Sequence, residues 1–141
     1  MESILKQDIV EQLLPQKAPF VMVDKLFSFA ENEIVAGLKV TEGNIFSANG
    51  FFTEPGIIEH MAQSVALYTG YQYHLKNEPA PIGYIGAIKD IAITQLPEVG
   101  AELVTHVSVL QEFMGITLVD IITKSNDTVI ATSQMKTVLA K

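Results

Sequence analysis

Between Pro55 and Pro79 the chain holds no proline, while the stretches on either side are cut by turns every ten residues or so. That interval predicts one long helix over residues 55–76, because proline suits a first helical turn and is excluded from the interior. Its flanks read differently. Residues 20–29 and 33–40 alternate apolar and polar side chains about a turn-like Ala-Glu-Asn-Glu, the pattern of a hairpin. Residues 81–94, interrupted by Gly83 and Gly86, are strand-like, and 95–100 (QLPEVG) form a loop. Three more strands are predicted at 101–112, 116–124 and 128–140, with Met114-Gly115 and Ser125-Asn126-Asp127 as turns. A short helix is expected over 6–14, where Ile9, Leu13 and Leu14 share a side and Pro15 closes it; residues 43–50 read as a loop. Closely connected strands pair antiparallel. The expected fold is therefore α+β: one long central helix wrapped by one antiparallel sheet of about six strands.

Length and charge limit what such a chain does. The 141 residues suit a single domain, 1–141, with one core. No apolar run approaches the roughly 18 residues that span a bilayer. The opening MESILKQDIVEQLL does not read as a signal peptide. Cysteine is absent, so disulfides and thiolate metal sites are excluded and a reducing cytoplasm is the simplest expected location. A net charge of −7, with nine lysines and no arginine, argues against nucleic acid. His60, His74 and His106 are too scattered for a metal-ligand pattern, and no cofactor motif is present.

The helix carries an uneven pair of faces. At about 100° per residue, Ile57, Met61, Val65 and Tyr68 form a bulky stripe opposite Glu59. Glu59, Ala62, Gln63, Ala66 and Gly70 share the near face, which is small where a solvated face would carry charge. Such a face suits close approach by backbone or ligand, so Glu59 is expected to be enclosed. His60 is adjacent in sequence but turned toward Ser64 and Leu67. Its expected role is structural or at a subunit seam, with a substitute base as the other reading. His74, near the helix end, and His106, in a strand, are expected to be structural.

Three segments carry a family resemblance. LPQKAPFVMVDKL at 14–26 is similar to "LPHR-x-PFLLVD-R". PGIIEHMAQ at 55–63 is similar to "PG…E-x-MAQ". YIGAIKDIAIT at 84–94, followed by LPEVGAEL at 96–103, is similar to "F-x-GI-x-K-x-RF…V-x-PGD-x-L". In this order they resemble the hot-dog-fold 3-hydroxyacyl-(acyl carrier protein) dehydratases of fatty-acid synthesis. The resemblance implies a dimer with acyl tunnels at its interface, acting on a thioester of acyl carrier protein or coenzyme A. It also implies a histidine ahead of the helix, a carboxylate on the partner's helix, and a helix-start N–H polarising the thioester carbonyl.

Carried over by position, Glu59 matches the helix carboxylate and Gln63 the glutamine after it. The family histidine does not carry over: NGFFTEPG at 49–56 replaces "GHFPG-x-P", and no histidine precedes Glu59. That loop resembles the dehydratase-like proteins of aryl-polyene and flexirubin-type clusters, "DGG-L-P-x-x-x-G-IE-x-MAQ", with Asn49 on the Asp and Gly50 on a Gly. The resemblance thus implies Glu59 as catalytic, with Asn49 or His60 as further candidates. Gly50, Phe52, Gly56, Ala62, Gln63, Ala66, Gly83 and Gly86 are the expected substrate contacts. Asn49-Gly50 is otherwise a turn pair and Phe51-Phe52 an apolar plug. Lys17, Lys25 and Lys89 are expected in solvent, where they could meet an acidic carrier protein. Three readings follow from the resemblance: dehydration of a 3-hydroxyacyl thioester, thioester hydrolysis by the helix carboxylate, or a catalytically weak subunit that completes or stabilises a complex with a histidine-bearing homologue or simply binds acyl chains.

Overall fold

The computed structural model describes residues 1–140, from helix α1 (Gln7–Gln12) to the last strand. Hairpin β1 (Lys25–Ala30) and β2 (Glu33–Lys39) comes next, then β3 (Ser47–Ala48), β4 (Phe51–Phe52) and the long helix α2 (Glu54–Leu75). Four long strands end the chain: β5 (Gly83–Ile93), β6 (Glu102–Phe113), β7 (Ile116–Ser125) and β8 (Thr128–Leu139). Six of them form one antiparallel sheet in the order β1-β2-β6-β7-β8-β5, and α2 packs against β2, β5, β6 and β7. The expected α+β arrangement, its six strands and its long helix are all present.

Turn chemistry sets the registers. Met114-Gly115 and Asn126-Asp127 both have positive φ, the backbone that two-residue hairpin turns require. Asn77 adopts the same left-handed conformation just past α2, where Glu78 N–H bonds the Tyr73 carbonyl and stops the helix. The core is a continuous apolar cluster between helix and sheet, including Leu26, Ile34, Ile57, Met61, Leu67, Val119, Ile121 and Met135. Ile57, Met61, Val65 and Tyr68, the bulky stripe of α2, are all buried.

Two local expectations are corrected. The strand expected to start at residue 20 starts at Lys25, because the backbone just before it bonds helix side chains instead of a strand. The Gln63 side-chain oxygen accepts from the Met22 N–H and its amide nitrogen donates to the Phe20 carbonyl, while His60 Nδ1–H donates to the Met22 carbonyl. The loop expected at 43–50 contains β3, which pairs with β4 about Asn49-Gly50; φ of 54° and 86° at these two residues makes the tight turn.

Candidate active site

Beside α2 lies an open groove of about 640 Å³. One wall is the α2 face of Glu59, Ala62, Val65, Ala66 and Thr69. The other is built from the end of α1 and residues up to Gln16, from residues 78–82, and from the start of β5 and end of β8. Glu59 and His74 both line it and are 15 residues apart on one helix, so the groove extends about 22 Å along α2 at a rise of about 1.5 Å per residue. A long, largely apolar trough with Glu59 toward one end and Glu78 toward the other suits a linear apolar chain.

Glu59 is half-buried and held by a single local contact: the Gln63 side-chain amide, one turn on, donates to its Oε2 at 2.7 Å. Gln63 is itself fully enclosed. Its oxygen accepts from Met22 N–H at 2.6 Å, and its nitrogen is shared between Glu59 and the Phe20 carbonyl at 2.9 Å. Both the amide orientation and the Glu59 rotamer are therefore fixed from within the protomer. A carboxylate so oriented can exchange a proton with a group on a bound chain.

His60 is tied to the same segment from the other side. It is fully buried; Nδ1–H donates to the Met22 carbonyl at 2.7 Å, and Nε2 accepts from the Thr105 hydroxyl at 2.7 Å. The Thr123 hydroxyl in turn donates to Thr105. Burial pushes the His60 pKa down to about 4, against the bond to Met22, which favours the charged ring. A neutral imidazole with both nitrogens engaged and no face on the groove anchors strand β6 to residue 22. It is not placed to act as a base.

Of the residues expected at a substrate, the groove brings together Glu59, Ala62, Ala66 and Gly83. It does not bring in the others. Phe52 is fully buried, and its ring packs where a side chain at Gly56 would collide with it at 2.6 Å, so both belong to the core under the start of α2. Gly86 faces Val138, and Asn49 and Gly50 form an exposed turn. Gly70 lies in the groove wall, but its missing side chain serves α1, since the Leu13 carbonyl fills that space. Lys25 is not free for a carrier protein. It bridges Asp24 at 3.1 Å and Glu102 at 2.9 Å; burial opposes its charge, yet these bonds hold its pKa above the usual value. Gln16, Val65, Thr69 and Tyr84 line the groove and were not expected there. Only the tertiary meeting of α1, α2 and β5 assembles them. Among the described residues no cluster of metal-ligating side chains occurs.

A long helix wrapped by six antiparallel strands, with Glu59 on a groove beside it, defines a hot-dog-fold protein. The chain belongs to the ApeP-like family of dehydratases, whose model matches residues 9–141. It is 31% identical to the 3-hydroxyacyl-(acyl-carrier-protein) dehydratase FabZ of Vibrio atlanticus, over 90% of this chain and 88% of that one. It is 27% identical to the FabZ of Vibrio cholerae over 90% and 86%. Among solved structures, a chain of the dehydratase heterocomplex ApeI:P from Xenorhabdus doucetiae superposes with a TM-score of 0.87 at 18% identity, covering 94% of this chain and 91% of that one. The resemblance read from the three sequence segments holds for both fold and family.

Proposed function

We propose that this chain is the carboxylate-bearing subunit of a 3-hydroxyacyl-(acyl carrier protein) dehydratase, completed by a homologous subunit that brings a histidine. Elimination of water needs a base for the α-proton and an acid for the leaving hydroxyl. Glu59 supplies one of these groups at the groove. The observation that carries the reading is the absence of the second. Among the described residues, His60 is sealed in the core, His74 lies about 22 Å along the helix, Glu78 lies past that same far end of α2, and His106 sits in β6. In the composite site the partner's imidazole takes the α-proton and the Glu59 carboxyl protonates the hydroxyl. The C–O bond breaks, a 2,3-double bond forms, water departs, and the imidazolium returns its proton to the carboxylate. The solved ApeI:P neighbour is a dehydratase heterocomplex, which supports a two-subunit assembly.

The surface supports pairing. Among the described residues strand β5 bonds only β8, leaving a long free edge along which Tyr84, Ile85, Ile88 and Ile91 are exposed. Unprotected apolar edges of this kind invite another strand. We place the dimer seam there, next to the groove wall that β5 provides. No described helix is long and apolar enough to cross a membrane, and the absence of cysteine suits a reducing compartment such as the cytoplasm.

The test mixes the chain with the histidine-bearing homologue from the same genome and follows enoyl formation from a 3-hydroxydecanoyl carrier-protein thioester. Activity is expected only in the mixture. Full dehydration by this chain alone would overturn the two-subunit reading, and release of free acid would assign a thioesterase instead.

A further inference from the structure

Gln16, one of the residues that line the groove, carries a polar atom that the proposed chemistry leaves unused. Oε1 of Gln16 is buried, yet it has no hydrogen-bond partner among the described residues. The residue sits just past the short helix α1, where Leu13 packs against Gly70, and before residues 20–22, whose backbone Gln63 holds. It therefore lies on the wall opposite α2, among groove-lining residues. Gln63, the other glutamine of the region, has both ends of its amide bonded. A buried amide oxygen left without a donor carries an uncompensated desolvation cost, which makes such a group uncommon unless a ligand or water meets it.

We propose that Gln16 is a substrate-binding residue, its side-chain oxygen accepting a hydrogen bond from a donor on the acyl thioester that occupies the groove. Two donors of the right chemistry exist on such a molecule: the 3-hydroxyl group of the acyl chain and an amide N–H of the thioester arm. The inference rests on the acyl-thioester reading of the groove, and its test is separable from turnover.

Gln16→Met replaces the amide with an apolar chain of similar length and shape. If the oxygen is unpaired in the free protein, this variant keeps or raises the melting temperature, since a desolvation cost disappears and no contact is lost. A glutamine with a structural partner would instead lower it. Binding of 3-hydroxydecanoyl and trans-2-decenoyl N-acetylcysteamine thioesters is then measured by calorimetry on the complex, with the wild type and with the variant. A neutral hydrogen bond contributes about 0.5–1.5 kcal/mol, so the expected loss of affinity is about 2–13-fold. Loss for the hydroxy ligand alone identifies the 3-hydroxyl as the donor. Equal loss for both identifies the arm. Unchanged affinity for both, or a lower melting temperature with unchanged affinity, overturns the proposal. Absence of dehydration by the wild-type complex would refute the dehydratase reading while leaving this binding comparison intact.

Discussion

Acid should loosen this fold through His60. The ring is fully buried with a pKa of about 4, against 6.5 for an ordinary histidine. Between those values the unfolded chain takes up a proton that the folded chain refuses, so stability is present above the unfolded value and falls as the pH drops. The whole effect approaches about 3 kcal/mol, and roughly 2 kcal/mol of it is lost between pH 7 and pH 5. Urea titrations at intervals across that range measure it. The control is His60→Asn, whose amide retains a donor toward the Met22 carbonyl but does not ionise. The variant starts less stable, having lost the Thr105 contact, yet its stability should decline less steeply with acid. Subtracting the two curves removes the carboxylates common to both. Parallel curves would mean that the ring is not the buried neutral group described, and the link from β6 to residue 22 would have to be reconsidered.

Other outcomes follow from the same geometry. Ala66→Phe fills the middle of the groove, so the reconstituted enzyme should prefer shorter acyl chains, read from competition between thioesters of two lengths, with the fold intact. Gly70→Ala drives a methyl group into the Leu13 carbonyl and should cost about 1–3 kcal/mol in chemical denaturation. Ile88→Lys on the free edge of β5 should weaken subunit association in sedimentation while leaving the melting temperature of the separated chain nearly unchanged.

The long helix, the four final strands and their hairpin turns were legible because their signals are local: a proline-free interval, and Asn-Asp or Met-Gly pairs between alternating runs. Lys25 as the true start of β1 was not legible. Nothing in residues 20–24 announces that their backbone will be claimed by Gln63 and His60, some 40 positions away. Glu59 stood out by its small-sided helix face and its family position. Phe52 and Gly56 look like loop and helix-start residues in sequence, and only packing reveals them as one contact within the core. Gln16 gave no sign, because its significance is the lack of a partner in a cavity formed by three separate segments.

The measurement closest to the central claim is the dehydration rate of the two-subunit complex with Glu59→Gln in this chain. Glutamine keeps the size of the side chain and a contact for Gln63 but gives up the carboxyl. Loss of a positioned acid or base lowers rates by about 10²–10⁴-fold, so dehydration should fall by that factor while complex formation and melting temperature stay near those of the wild type. A complex carrying Glu59→Gln that assembles normally and dehydrates at the wild-type rate would show that this chain's carboxylate takes no part in the chemistry.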